Sequence, residues 1–333
     1  MTDAPRIVFL TYLSRSGSTL LGRLLQERLS VCVTPEGSFP SELLGLDGFA
    51  APVFDGPDAA ARYARGLRAS SKLWNWRLDL EEIARGLPTW PATGPDLLRA
   101  ILIAFRDRWS PGDAVIVYKG DPVVSWTVPE ALAAIPEARA LHMLRDPRAV
   151  LASQRRSEFS YAGGRFSYSV AHTADDWAKS EAQAARGGPR EAVLRYEALV
   201  EDADAALDGL APFLGAERRP APRAGGFAEL IPEAERGLHR NLAKPPNRDS
   251  LETWRQALPP RDVGLLQAMT AEGLARQGYA PAAAPSPWPG AAAASRLRGR
   301  GLIKLAVLRR ALMQLKADPG YFLGKLRRRL AGR

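Results

Sequence analysis

Near its N-terminus the chain reads Ile7-Val8-Phe9-Leu10-Thr11-Tyr12-Leu13 and then Ser14-Arg15-Ser16-Gly17-Ser18-Thr19. The first run is apolar and rich in branched and aromatic residues, which predicts a buried strand. After the polar loop, leucines recur at helical spacing and predict a helix (Leu20, Leu21, Leu24 and Leu25). A strand, a tight polar loop and a helix are the start of a nucleotide-binding βα unit.

Strands and helices are predicted to alternate along the rest of the chain. The predicted strands are 114–118, 138–144 and 192–196, and the predicted helices are 128–134, 148–156, 174–186 and 202–214. This alternation indicates an α/β fold, a three-layer sandwich with a mostly parallel central sheet covered by helices on both faces. Phosphate and substrate groups are expected at the carboxyl ends of the strands.

Additions to this core are predicted in two places. A mainly helical insertion is expected over about residues 38–113, and its tryptophans could pack in the core or contact an acceptor (Trp74, Trp76, Trp90 and Trp109). The main domain is predicted to cover residues 1–280. A Pro/Ala linker at 281–289 and a basic amphipathic helical tail at 290–333 are predicted to follow it.

The formal net charge of +10 comes from the tail. Residues 281–333 hold 12 Lys and Arg against a single acid, Asp318, which leaves residues 1–280 with a net charge of −1. The basic surface of a nucleic-acid-binding domain is therefore not expected. Cys32 is the only cysteine, and the sequence has neither a signal-peptide pattern nor a membrane-spanning run, so a cytoplasmic protein is predicted.

The loop Ser14–Thr19 carries the first chemical signal. Backbone N–H groups at a helix N-terminus, aided by the helix dipole, form an anion site. Gly17 permits close approach of a phosphate to the backbone, and Arg15 adds a fixed positive charge. The loop lacks the Gly-Lys-Ser/Thr of the Walker pattern. The alternative is an ordinary helix-capping turn, because Ser and Thr favour helix starts.

A second cluster, from Arg145-Asp146-Pro147 to Ser153, closes a predicted strand and opens a predicted helix. Arg145 and Ser153 can hold a second phosphate, the arginine through charge-assisted hydrogen bonds and the serine through its hydroxyl. The alternative is a capped helix with a structural arginine.

Together these segments resemble the sulfotransferases that use 3′-phosphoadenosine 5′-phosphosulfate (PAPS). Ser14–Leu21 is similar to the family's 5′-phosphosulfate-binding loop, a P-loop, in the form found in the tyrosylprotein and bacterial branch. Arg145 and Ser153 match the family's 3′-phosphate motif. Leu194–Val200, followed by Phe213-Leu214-Gly215, is similar to its R-Y-E-x-L-V…F-L-G segment. The resemblance spans roughly residues 7–280, and four motifs in the family's order are highly specific.

The resemblance implies a binding site for PAPS as the sulfuryl donor. Tyr196 would lie near the adenosine, and a segment within 239–248 resembles the loop that closes over the 3′-phosphate. The implied donor-binding residues are Arg15, Ser16, Gly17, Ser18, Thr19, Arg145, Ser153, Tyr196, Lys244 and Arg248. The scheme requires no metal, and the sequence shows no His, Cys and carboxylate cluster at ligand spacing.

The resemblance also implies the catalytic residues. Glu36 occupies the place of the general base, and a carboxylate can take the acceptor's proton as the acceptor attacks sulfur. Arg15 and Lys119 would stabilise charge on the transferring group, although Gly120 is an insertion relative to the family's K-D-P motif. A solvated loop glutamate is the alternative for Glu36. A histidine base is not expected from the positions of the three histidines (His142, His172 and His239).

The expected reaction is in-line transfer of a sulfuryl group to a hydroxyl or amine of a small-molecule, carbohydrate or lipid-linked acceptor. One alternative is a P-loop nucleotide-dependent kinase in which Asp121 holds magnesium. The other is a non-catalytic nucleotide-binding adapter with a membrane- or partner-binding tail. Nucleic acid is not an expected partner.

The tail is predicted to form a helix at 301–316 with leucines along one face, and a short second helix at 321–330. A basic amphipathic segment can lie on an anionic membrane, here the inner face. Self-association, packing on the catalytic domain and a disordered extension are the alternatives for residues 301–330.

Overall fold

The computed structural model describes residues 5–37, 39–48, 50–70, 73, 76–120, 122–157, 166–223 and 247–317. The chain forms two compact units. The first comprises Met1–Arg145 and Ser180–Arg248, and the second comprises Asp146–Lys179 and Asp249–Arg333. The predicted boundaries at residues 280 and 289 stay a prediction.

A five-stranded parallel sheet forms the centre of the first unit. Its strands are β1 (Arg6–Tyr12), β2 (Val31–Val33), β5 (Val115–Lys119), β6 (Arg139–Leu144) and β7 (Glu191–Arg195). They stand in the order β2-β5-β1-β6-β7, with parallel neighbours throughout. β3 (Val53–Phe54) and β4 (Ala92–Thr93) form a separate antiparallel pair. Strand order reverses at β1, so the carboxyl ends of β1, β5 and β6 are where ligands bind in sheets of this kind.

Helices account for most of the remaining described chain. They are α1 (Ser18–Arg28), α2 (Phe39–Leu43), α3 (Pro57–Ser70), α4 (Leu80–Arg85), α5 (Gly94–Trp109), α6 (Pro122–Trp126), α7 (Val128–Ala134), α8 (Pro147–Arg156), α9 (Val170–Arg186), α10 (Tyr196–Glu201), α11 (Ala203–Leu214), α12 (Asp249–Glu252), α13 (Trp254–Ala257), α14 (Pro260–Arg276) and α15 (Ala291–Ala317). All residues of β5 are buried, and since alternate side chains point to opposite faces, the sheet is covered on both sides. The predicted α/β fold with a mostly parallel central sheet is confirmed.

The insertion between β2 and β5 is largely helical, as predicted, and comprises α2 to α5 with the β3–β4 pair. Trp76 is fully buried, with its ring centroid 4.5 Å from that of Phe105 and 5.3 Å from that of Phe39. Trp109 Nε1 donates to the Trp76 carbonyl at 3.1 Å. The presence of a tryptophan at position 76 is therefore explained by packing in the core rather than by contact with an acceptor. Trp74 lies outside the described residues.

His142 joins three strands in the interior of the first unit. Thr11 Oγ1 lies 2.9 Å from His142 Nδ1, and Glu191 Oε2 lies 2.9 Å from Nε2. Burial is the main cause that lowers the pKa of His142, so the ring is neutral near pH 7. A neutral ring donates from Nε2 to Glu191 and accepts from Thr11 at Nδ1. The side chain serves as a crosslink between strands.

The second unit is built around Arg148, at the start of α8. This arginine is 3% exposed, and its guanidinium donates to both carboxylate oxygens of Asp146, with the shortest bond, Nη2 to Oδ2, at 2.7 Å. Nη1 donates to Gln267 Oε1 and to the Ala280 carbonyl, each at 2.9 Å. The guanidinium also stacks 4.4 Å from the ring centroid of Trp254. In the segment from Arg145 to Ser153, the arginine with a structural role is therefore Arg148.

The tail begins as α15 at Ala291, ten residues earlier than the predicted helix. Its first turns are fixed within the second unit: Arg296 Nη2 donates to Asp175 Oδ1 at 2.7 Å, and Ser295 Oγ accepts from the Ala171 N–H at 3.0 Å. Among the described residues, no helix is both long enough and apolar enough to cross a membrane. The predicted second helix at 321–330 lies outside them.

Candidate active site

The loop between β1 and α1 has the backbone of an anion site. Arg15 and Gly17 both adopt left-handed conformations, with φ of 78° and 94°, and the Ser16 N–H donates to the Leu13 carbonyl at 3.0 Å. Left-handed residues within a turn direct neighbouring N–H groups to one concave side, which favours anions. A non-glycine residue with positive φ is strained, and such strain is common at functional sites. The first turn of α1 carries no acidic residue that would repel an anion.

Arg145 and Tyr196 meet this loop from neighbouring strands. Arg145 Nη1 donates to the Arg15 carbonyl at 3.1 Å, and its guanidinium lies 4.1 Å from the ring centroid of Tyr196. A Cβ on Gly17 would stand 2.3 Å from Tyr196 Cδ2, so a glycine is required there by close contact as well as by its φ. Four residues from three separate motifs, Arg15, Gly17, Arg145 and Tyr196, are therefore brought together.

Glu36 and Lys119 form an ion pair beside the loop, through Lys119 Nζ and Glu36 Oε1. The same oxygen accepts a hydrogen bond of 2.7 Å from the hydroxyl of Tyr12, the last residue of β1. The Lys119 side chain is 3% exposed, whereas that of Glu36 is 39% exposed. The buried ammonium is thus neutralised by a carboxylate that is accessible to an incoming molecule.

Three hydrogen bonds fix the segment that carries Glu36 to β5. The Thr34 N–H donates to the Val117 carbonyl at 3.0 Å, and Thr34 Oγ1 accepts from the Lys119 N–H at 3.1 Å. The Tyr118 hydroxyl donates to the Gly37 carbonyl at 2.7 Å. Glu36 is therefore held between two anchored neighbours, which argues against a freely solvated loop glutamate.

Gly120 follows Lys119 because a side chain does not fit there. Its φ is 76°, and a Cβ would stand 2.1 Å from the Tyr12 hydroxyl oxygen. The inserted glycine thus accommodates Tyr12. Tyr12 is the residue of this arrangement that the motifs of the sequence did not single out. Its place at the carboxyl end of the first strand, directly before the anion loop, was the signal available to find it.

The remaining predicted site residues fall into two groups. Ser16 and Ser18 are buried in the loop at 1% and 5% exposure, and Thr19 follows in the first turn of α1. Ser153 lies on α8 in the second unit and is 8% exposed. Arg248 is exposed, and its Nη2 donates to the Glu201 carbonyl at 3.2 Å. The predictions that fall outside the described residues concern Asp121, His239 and Lys244.

A family model described as "Sulfotransferase family" matches residues 5–220 of the chain. The chain belongs to the sulfotransferase family. The match includes the anion loop, Glu36, Lys119, Arg145 and Tyr196, so the residues that the structure gathers in the first unit lie within the family segment of this sulfotransferase. No curated protein sequence matches it.

Two solved structures share the fold of this sulfotransferase. The sulfotransferase domain from the curacin biosynthetic pathway is 16% identical, with a TM-score of 0.52, and the alignment covers 84% of this chain and 99% of that one. The sulfotransferase domain from the Synechococcus PCC 7002 olefin synthase is 18% identical, with a TM-score of 0.51, and 83% and 95% are covered. Both support the α/β architecture.

Within the part of the chain that the structure describes, no group of three or more His, Cys, Asp or Glu residues is arranged to hold a metal ion. Arg15, Lys119 and Arg145 follow or end β1, β5 and β6 at their carboxyl ends, and the carboxylate of Glu36 pairs with Lys119. Such a set can bind an anionic donor and accept a proton from a neutral acceptor.

Proposed function

We propose that this sulfotransferase moves a sulfuryl group from PAPS to a hydroxyl or amine of a small-molecule, carbohydrate or lipid-linked acceptor. The reaction is an in-line displacement at sulfur with Glu36 as general base. The observation that carries the proposal is the hydrogen bond from Tyr12 to Glu36, because it joins a carboxylate to the strand end from which the anion loop departs. Sulfuryl transfer requires a base beside an anion site.

The anion loop suits the 5′-phosphosulfate of the donor. The backbone N–H groups of residues 16–19 and the Arg15 guanidinium supply hydrogen-bond donors and positive charge. The left-handed conformations of Arg15 and Gly17 support this role, since they shape the backbone into a concave site. Gly17 lies against the Tyr196 ring, which is expected to contact the adenosine end of the same donor.

Arg145 is assigned to the 3′-phosphate, the group that distinguishes PAPS from ATP. Its guanidinium is fixed by the Arg15 carbonyl and the Tyr196 ring, so little side-chain entropy remains to be lost when a phosphate binds. Ser153, Lys244 and Arg248 are its proposed partners, on the strength of the resemblance alone.

The donor supplies a sulfuryl group activated by its bond to phosphate. As the acceptor oxygen or nitrogen forms its bond to sulfur, Glu36 takes the acceptor's proton, and the bond from sulfur to the phosphate oxygen breaks. Protonation of Glu36 removes the negative charge that faces the buried ammonium of Lys119. The Lys119 ammonium, together with Arg15, then stabilises the negative charge that develops on the departing oxygen.

Two alternatives have less support. A kinase would use Asp121 to hold magnesium, and Asp121 lies outside the described residues, whereas the family match favours sulfuryl transfer. A non-catalytic adapter has no need of an accessible carboxylate paired with a buried lysine beside the anion loop.

The proposal is tested by incubating the purified chain with sulfur-35 PAPS and a metabolite extract. We expect labelled product and an equal amount of adenosine 3′,5′-bisphosphate. PAPS binding without transfer to any acceptor would support the adapter. Magnesium-dependent turnover of ATP, with no use of PAPS, would support the kinase.

The tail is proposed to contact an anionic membrane surface. On α15, Leu305, Leu308 and Leu312 are 57–62% exposed and fall within about 60° of one another around the helix axis. The helix contains seven basic residues and no acidic one (Arg296, Arg298, Arg300, Lys304, Arg309, Arg310 and Lys316). Like charges disfavour pairing with a second copy of the same helix, while anionic lipids attract it. A cytoplasmic protein attached to the inner face of a membrane fits this arrangement.

Removal of residues 290–333 is expected to abolish binding to vesicles that contain anionic lipid, measured by co-sedimentation, while transfer to a small acceptor is retained. A matched variant with Leu305, Leu308 and Leu312 changed to Ser keeps every basic residue and is expected to bind weakly. Equal binding by the full and truncated chains would contradict membrane contact. A change in oligomeric state alone would point to self-association.

A further inference from the structure

Tyr12 takes no part in the proposed proton transfer, yet it contacts Glu36, Lys119 and Ser18. Its hydroxyl donates to Glu36 Oε1 at 2.7 Å, and the same oxygen accepts from Lys119 Nζ. We propose that Tyr12 is a positioning residue of the transfer reaction, which holds the Glu36 carboxylate in one orientation and ties it to the anion loop. The inference rests on the proposed function, since it takes Glu36 as the base.

The environment of the phenol keeps it in place and protonated. Lys119 Nζ lies 5.2 Å from the centroid of the Tyr12 ring, and the backbone of Gly120 closes against the hydroxyl. Burial and the neighbouring negative charge of Glu36 raise the pKa of Tyr12 well above its usual value of 10.0. The hydroxyl is therefore a hydrogen-bond donor to Glu36 throughout the working pH range.

Tyr12 also reaches the anion loop. The Ser18 hydroxyl, in the first turn of α1, forms a hydrogen bond with the Tyr12 hydroxyl. Glu36 is thus connected through one phenol to a residue assigned to the donor. A displacement of this loop upon donor binding would be transmitted to the carboxylate by two hydrogen bonds rather than through the backbone of β1.

A general base works only when its lone pair lies within hydrogen-bond reach of the proton it takes. Two donors to the same carboxylate oxygen, Tyr12 and Lys119, restrict the rotation of Glu36 more than one of them does. Misplacement by about 1 Å can cost on the order of a hundredfold in rate. The contribution of Tyr12 is therefore expected in turnover rather than in donor affinity.

The test is Tyr12→Phe, which keeps the ring beneath Lys119 and removes only the hydroxyl. We expect kcat to fall roughly ten- to a hundredfold, the effect of losing one hydrogen bond to a charged group, with little change in the dissociation constant for PAPS. The acid limb of the kcat–pH profile should move to higher pH, because the ionised form of the base loses a hydrogen-bond donor.

The matched control is Tyr63→Phe in the insertion, where a tyrosine hydroxyl donates to Glu42 Oε1 at 2.8 Å. The control removes the same kind of bond, and we expect wild-type kcat and an unshifted acid limb. The position of the limb does not depend on the fraction of folded enzyme, so partial misfolding cannot imitate the result.

The outcomes separate the two proposals. If Tyr12→Phe keeps both the wild-type kcat and the wild-type acid limb while Glu36→Gln is inactive, Glu36 stands as the base and the role of Tyr12 is refuted. If Glu36→Gln is fully active, the base assignment itself fails, and the inference about Tyr12 fails with it.

Discussion

Glu36→Gln is expected to lower the turnover number for sulfuryl transfer on the order of a hundredfold or more, while PAPS affinity stays close to that of the wild type. The amide oxygen can still accept from Tyr12 and Lys119, so the geometry of the pair is retained. A neutral amide has no basicity with which to remove the acceptor's proton. Single-turnover transfer of sulfur-35 and equilibrium binding of PAPS measure the two quantities separately.

The same change removes the negative charge that pairs with the buried ammonium of Lys119, which can reduce folding stability. Thermal unfolding should therefore accompany the kinetic assay. Glu42→Gln in the insertion is the matched control, because Glu42 also accepts from a tyrosine, and it should transfer at the wild-type rate. A wild-type rate for Glu36→Gln would place the base elsewhere.

Arg145→Ala is expected to weaken PAPS binding by about 1.5–3 kcal/mol, or roughly ten- to a hundredfold in the dissociation constant. The arginine is 6% exposed, so the bond to a phosphate would be shielded from water and would be charge-assisted. Calorimetric titration with PAPS and with adenosine 5′-phosphosulfate, which lacks the 3′-phosphate, measures how much of the affinity depends on the 3′-phosphate.

The loss should be confined to the ligand that carries the 3′-phosphate. Adenosine 5′-phosphosulfate and ATP should bind weakly to the wild type and lose little further affinity in the variant. Tyr196→Phe is the companion variant, since it keeps the ring that stacks on Arg145 and should keep the preference for PAPS. Equal PAPS affinity in Arg145→Ala and the wild type would refute the assignment of the 3′-phosphate.

Much of the fold could be predicted because its strands are continuous apolar runs between helical patterns. Four of the five strands of the central sheet were predicted in this way, with ends displaced by one residue or so. β2 was missed because its three residues, Val31–Val33, are too few to show a period. Tyr196 was expected to end a strand and instead begins α10, since tyrosine and its neighbours suit either structure.

The candidate site could be predicted where residues lie next to a strand end in the chain, as Arg15, Lys119 and Arg145 do. Parallel strands bring such residues to one edge of the sheet regardless of their separation in sequence. Tyr12 could not be assigned because its role depends on a side-chain contact with Glu36, which no spacing encodes. The insertion's Trp76 was open to two readings, since an aromatic side chain looks the same in a core as in a binding site.

Substitutions at positions 12 and 120 are compatible with the fold only in a fixed order. A methyl group at position 120 would stand 2.1 Å from the hydroxyl oxygen of Tyr12, well inside van der Waals contact. An ancestor with a side chain at position 120 could therefore acquire the tyrosine only after the glycine had arisen. In the reverse direction, the glycine could be lost only after the tyrosine had been replaced. A single substitution at position 120 would record incompatibility with Tyr12, whereas a smaller residue at position 12 would fit beside Gly120, so a survey of variants should score position 120 together with the residue at position 12.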